Sequence, residues 1–172
     1  MTLAWFDDET RFAAELARGR RGELRVAMKL LPLGLWIRIG PAQWRDGTHS
    51  WEERREQFAD EVDLELEGGH LLEVKARNLT FTCAEDYPYS TVWVGATKRW
   101  RARTRMPCGV VILSEPTDAV IIVPTSTREY WTVESGFDSV RGFMEQAYAI
   151  ARERAVNEDR LLAHLRAPCR GA

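Results

Sequence analysis

The stretch from Glu61 to Ala76 constrains the fold more than any other part of the chain. Glu61-Val62-Asp63-Leu64-Glu65-Leu66-Glu67 alternates strictly between acidic and apolar residues, and Leu72-Glu73-Val74-Lys75-Ala76 alternates likewise. Period-two alternation marks a strand with one buried face. Gly68 and Gly69 lie between the two runs, so together they read as a β-hairpin. Directly opposed residues of an antiparallel pair share a face. Val62, Leu64 and Leu66 must therefore share theirs with Leu72, Val74 and Ala76. Opposing Leu66 with Leu72 does this, and it sets Leu64 against Val74 and Val62 against Ala76. Asp63 then faces Lys75, and Glu65 faces Glu73. Gly68, Gly69 and His70 remain as a three-residue loop that suits a type I turn with a bulge. A two-residue Gly-Gly turn would send the apolar sets to opposite faces. The polar face gathers Asp63, Glu73 and Lys75.

Around this hairpin the 172 residues read as one domain, residues 1–172, since domains usually run to about 100–200 residues. A 45% hydrophobic and 29% charged composition is that of a folded globular chain. Glu9 to Leu31 reads as helical, in one bent helix or two, with the bend or break at Gly19 and Gly22. Leu35 to Ile39 reads as a strand. Gly40 to Gln57 reads as a long loop, with a helical turn near Trp51 to Phe58. Thr91 to Val94, Gly109 to Leu113 and Ala119 to Val123 read as strands, and Lys98 to Arg105 as a short basic helix. Ser139 to Ala155 reads as a helix, followed by a shorter one from Asp159 to Leu165. Trp36 and Trp93 are expected in the core. The order of elements points to a mixed α/β sheet with helices packed on it.

Several chemistries are excluded. Cys83, Cys108 and Cys169 are scattered and odd in number, which argues against a disulfide framework and for reduced thiols. His49, His70 and His164 form no zinc motif. No apolar run approaches the ~20 residues of a membrane span. The acidic start, Met1 to Asp8, is unlike a secretory signal, so an intracellular, cytoplasmic location is expected. Charge is segregated: the 50–67 region is acidic, while Lys98, Arg99, Arg101, Arg103 and Arg105 form a basic run with no acidic residue between. Such a pattern can suit a metal site acting on a phosphate polymer, but on charge alone solvated faces that balance each other are the favoured reading.

Two carboxylates and an ammonium on one strand face have a chemical use. Hard divalent cations take oxygen ligands and bind through one or two carboxylates plus substrate phosphate. A lysine beside the ion can orient water and neutralise developing charge. Glu23 lies on a partly apolar helical stripe with Ala27, where an inward carboxylate needs a partner. It is either a ligand or supporting residue of the same metal, or an exposed glutamate paired with a neighbouring arginine.

At these residues the chain resembles the PD-(D/E)xK nuclease superfamily, whose core is an acidic residue on one strand followed by (D/E)-x-K on the next. Asp63, followed by Glu73-Val74-Lys75, matches that pattern, and Glu23 resembles the glutamate many members carry on the preceding helix. Val62 stands where the family pattern has proline. The resemblance covers roughly Arg20 to Val123. It implies a restriction-endonuclease-like α/β fold, a mixed sheet core in the order αβββαβ flanked by helices, here with an extra C-terminal helix. It implies Mg²⁺- or Mn²⁺-dependent hydrolysis of DNA phosphodiesters. Asp63, Glu73 and the Val74 carbonyl would hold the metal, Lys75 would position the attacking water, and Glu23 would assist. Lys98, Arg99, Trp100, Arg101 and Arg103 would meet the nucleic acid, cations on phosphates and the ring on a base. Lys98 could instead complete the site, and Trp100 could equally pack in the core. A structure-selective junction or flap endonuclease of a phage, mobile element or repair system, acting as a homodimer, fits family analogy. The alternative is a catalytically silent nucleic-acid-binding module.

Overall fold

A computed structural model describes residues 4–40, 62–138 and 143–160. Helix α1 (Ala4–Leu30) leads to strands β1 (Ile37–Ile39), β2 (Leu64–Leu66) and β3 (Leu71–Arg77). Strand β4 (Thr91–Ala96) passes directly into the short helix α2 (Thr97–Ala102). Then come β5 (Gly109–Ser114), β6 (Val120–Pro124), β7 (Thr132–Asp138), β8 (Phe143–Ala151) and β9 (Val156–Asn157). The result is a mixed α/β arrangement, mostly strand, in two sheets. The larger has the order β1-β2-β3-β5-β6-β9 and the smaller β4-β8-β7. All pairs are antiparallel except β3 with β5, whose connection carries β4 and α2 and is long enough for a crossover.

The large sheet is covered on both faces. Val26, Ala27 and Leu30 of α1 pack on Leu72, Val74, Val111 and Ile122. On the other face Val110, Ile112 and Ile121 meet Val92, Val94 and Ile150 of the small sheet, with Trp100 of α2. A strand buried on both faces cannot alternate. That is why Gly109–Ser114 and Val120–Pro124 are unbroken runs of buried residues.

The hairpin forms with the expected parity but a register shifted by two. Leu64 pairs with Leu72 and Glu65 with Leu71. Leu66 N–H donates to the His70 carbonyl at 2.8 Å. The loop is therefore Glu67 to Gly69, and Gly68 and Gly69 take φ of 82° and 79°. Left-handed positions fall on the two residues without a Cβ, which leaves His70 extended and part of the ladder. Glu65 pairs across the sheet with Arg38 of β1, not with Glu73.

Four other expectations are corrected. The first helix does not break at its glycines; it is one helix through Gly19 and Gly22. Gly22 is a contact point, where a Cβ would lie 2.8 Å from the Cβ of Ala76 on β3. The expected helix Ser139 to Ala155 is strand β8 over Phe143–Ala151, the middle of the small sheet, so the extra C-terminal helix is absent there. Its Met, Glu, Gln and Ala residues favour helix intrinsically, but ladders on both sides and the burial of Ala147, Ala149 and Ile150 outweigh propensity. Trp36 is 60% exposed, just before the edge strand β1, while its neighbours Leu35 and Ile37 are the residues packed against the core. Cys83 is a free thiol, but Cys108 is disulfide-bonded, its partner lying outside the described residues. Asp159 and Arg160 end in a 3₁₀ turn. The expected loop after Gly40, its turn at Trp51 to Phe58, and residues 161–172 lie outside the described residues. Among the described residues, no helix is long and apolar enough to cross a membrane.

The two glycines of α1 give opposite predictions. At Gly19 no atom lies within 4 Å of an added Cβ. Gly19→Ala should stabilise by up to about 1 kcal/mol through helix propensity. Gly22→Ala should instead destabilise by about 1–3 kcal/mol, because the helix must lift off β3. Urea unfolding of both variants checks the pair; stabilisation by both would show that α1 does not pack this closely.

Candidate active site

Glu73 sits in the middle of β3, on the face turned away from α1. Its neighbour on β5 is Val110 and that of Lys75 is Ile112, both part of the core beneath the small sheet. Glu73 is 2% exposed. Asp63 lies immediately before β2, and continuing the observed register sets it opposite Glu73, not Lys75. Asp63 Oδ2 accepts the Val74 N–H at 2.6 Å, and the Asp63 carbonyl accepts the Gly40 N–H at 2.9 Å. The aspartate is thus tied to the end of β1 and to β3. It is Val74's N–H, not its carbonyl, that is seen to engage the site.

Three cations surround Glu73. Lys75 Nζ donates to Oε1, and Arg99 Nη1 lies 3.2 Å from the same oxygen. Arg103 Nη2 donates to Oε2, with none of its side chain exposed. Burial by itself would raise the Glu73 pKa. Lys75, Arg99 and Arg103 together overcome that, and hold the carboxyl well below the usual carboxylate range. Asp63 goes the other way. Burial first, then the charge of Glu73, push its pKa up to about 6, against the pull of Lys75 and the Val74 N–H. Two carboxylates with pKa values driven apart by environment are a recurring feature of catalytic sites, and of some structural ion clusters.

Glu23 is not brought into contact with this group. It lies on α1, which packs on the opposite face of β3, where Arg20 Nη1 bridges it to the Gly40 carbonyl. Burial raises its pKa and Arg20 offsets part of the rise; Glu73 and Lys75 act on it only through their charge. Its reach is that of a supporting residue.

Helix α2 is oriented by Trp100. Thr97, Trp100 and Arg103 recur every three residues and all point inward. Trp100 is 2% exposed and meets Trp131 edge-on, with centroids 5.0 Å apart. Two expected nucleic-acid contacts are thereby overturned: Trp100 cannot stack on a base, and Arg103 cannot reach a phosphate, because both are packed inside. Lys98 and Arg101 remain on the exposed side, with Arg105 beyond the helix. Arg99, not Lys98, is the α2 residue that reaches the site; one residue is 100° of helical rotation. The signal for this was present in the spacing of Thr97, Trp100 and Arg103, but a six-residue helix offers too few turns to fix its phase.

A hard divalent cation fits the donor types. Asp63 and Glu73 are neighbouring carboxylates whose mutual repulsion raises Asp63, and a cation would relieve it. Among the described residues, no group of three or more His, Cys, Asp and Glu could hold a metal ion. Such an ion would rest on two carboxylates, with main-chain and substrate oxygens completing its shell.

The raised Asp63 pKa fixes the sign of a stability experiment. A carboxyl that binds its proton more tightly when folded contributes stability below its ordinary value of 3.8, and loses it as pH rises through about 6. Asp63→Asn keeps an oxygen for the Val74 N–H and carries no charge. It should be more stable than wild type by about 2–3 kcal/mol at pH 8, the difference vanishing below about pH 4. Thermal melts across this range check it; a variant less stable at pH 8 would contradict a buried like-charge pair.

No protein-family model, no curated protein and no solved structure matches the chain, so its function is read from the site itself.

Proposed function

We propose that the chain is a metal-dependent nuclease that hydrolyses DNA phosphodiester bonds. The observation that carries this reading is the convergence of Asp63, Glu73 and Lys75, with a carboxylate kept charged at 2% exposure in the middle of a sheet. Such a buried charge is expensive for a fold to keep unless it serves some purpose. Asp63, Glu73 and the Val74 main chain would hold a Mg²⁺ or Mn²⁺ ion. That ion supplies Lewis-acid charge at the phosphate and a more acidic water. Lys75 holds its ammonium on Glu73, where it can orient a water and donate to the departing charge. Lys98, Arg101 and Arg105 project from α2 and its continuation, and would bind the backbone phosphates flanking the scissile bond. The chain order of α1, β1 to β3, α2 and β5, with β4 of the small sheet inserted just before α2, also supports a restriction-endonuclease-like core. Preference for junctions or flaps, and action as a homodimer, belong to the same proposal by analogy.

A second reading has its own support. Both Glu73 oxygens already carry cationic partners, as in a purely structural ion cluster. A nucleic-acid-binding module that lacks turnover would look like this.

Cleavage of labelled single-stranded, duplex, flap and four-way-junction DNA, with Mn²⁺, Mg²⁺ or EDTA, separates the two. Wild type should cut in the presence of metal, and Asp63→Asn and Lys75→Ala should each lose about 10²-fold or more. Glu73→Ala is a poor probe, since it would remove the carboxylate that Arg103 meets in a buried position, at a cost of about 3–5 kcal/mol. Salt-sensitive binding with no cutting on any substrate would favour the binding module.

A further inference from the structure

The cations on Glu73 are not equivalent. Arg103 has no exposed side-chain surface, holds Oε2, and lies with its guanidinium carbon 4.7 Å from the centroid of the Trp100 ring. Leaving Glu73 would take a fully buried cation off its carboxylate. Arg99 differs on each count. About a third of its side chain is exposed, at 34%, and its Nη1 stands 3.2 Å from Oε1. It sits on the flank of α2, between the buried stripe of Thr97, Trp100 and Arg103 and the exposed Lys98 and Arg101. With a third of its side chain already at the surface, it can turn outward into solvent. Lys75 shares Oε1 but is anchored two residues away on the same strand.

Charge counting gives the two arginines different roles. Lys75, Arg99 and Arg103 face Asp63 and Glu73, so the described cluster already has more positive than negative groups. A divalent cation beside Glu73 adds to that excess, and its repulsion is greatest for the cation on the same oxygen. We propose that Glu73 has one permanent and one exchangeable oxygen. Oε2 stays with Arg103, while Oε1, which accepts from Lys75, also carries Arg99 as its outer cation until a divalent cation takes the place of Arg99, and the freed Arg99 then binds the phosphate of the substrate. This rests on the nuclease reading above. Arg99 is then a placeholder for the ion and a substrate contact in turn. Metal and nucleic acid bind with positive coupling, because the phosphate that receives Arg99 also offsets the charge the ion brings.

The test is Mn²⁺ affinity, by calorimetry or electron paramagnetic resonance of free Mn²⁺, for wild type, Arg99→Gln, Arg99→Lys and Asp63→Asn. Each is measured with and without a non-cleavable phosphorothioate duplex. Arg99→Gln should bind Mn²⁺ roughly tenfold more tightly than wild type without DNA, yet cleave DNA more slowly. The duplex should tighten Mn²⁺ binding by wild type and much less by Arg99→Gln. Arg99→Lys, which keeps the charge, should behave like wild type in Mn²⁺ affinity. Unchanged or weaker Mn²⁺ binding by a folded Arg99→Gln, with wild-type binding present and lost in Asp63→Asn, would overturn the placeholder role and leave the nuclease reading standing. No Mn²⁺ binding by wild type, with or without the duplex, would overturn both.

Discussion

The ion pair between Glu73 and Arg103 is the constraint around which the rest of the site is organised. A carboxylate in the middle of a doubly covered sheet, here only 2% exposed, is withdrawn from solvent, so the protein must supply the counter-charge. Arg103 can do so from a fully buried position only because Trp100 lies beside it as a stacking surface. Trp100 in turn fixes which side of α2 faces inward, and hence which of its cations face outward. One buried charge and one buried ring thus share the inward face of the helix above them. Well-packed apolar residues would often serve stability as well as such a cluster.

The layers decide where that charge can be reached. Helix α1 covers the face of β3 that carries Val74 and Ala76, and its close approach at Gly22 leaves no room for another group on that side. Glu73 and Lys75 therefore open toward α2. Asp63 enters from just outside β2, held by the end of β1 and by the Val74 N–H. Three elements distant in sequence meet at one pair of carboxylates, and Arg99 and Lys75 stand on the partly exposed side of the pair.

Much of this was legible before the fold. The unbroken runs of β5 and β6 and the strict alternation around Gly68 and Gly69 were read as strands, and strands they are. The parity of the hairpin was legible because a one-residue slip would expose Leu64 and Leu66. The register was not, because a two-residue slip leaves every residue on its own face and costs the pattern nothing. That slip changes which charge Asp63 meets, from Lys75 to Glu73. Strand β8 was misread because its alanines, methionine and glutamate carry helical propensity, and only the strands on either side of it settle the matter. Trp36 was placed in the core, but it precedes the edge strand β1, where Leu35 and Ile37 on either side of it are the residues that pack inward.

The sequence by itself determined the alternation, the hairpin and the set of groups on its polar face, Asp63, Glu73 and Lys75. These follow from a strand's period of two, which is local. Only the tertiary structure decided that Arg99 and Arg103 join them, that Trp100 is a buried support, and that Glu23 stays with Arg20 on the other face. Those assignments depend on the phase of a six-residue helix and on which layer covers which side of a sheet. Neither is encoded within a few residues, because both are fixed by burying one surface against another far along the chain.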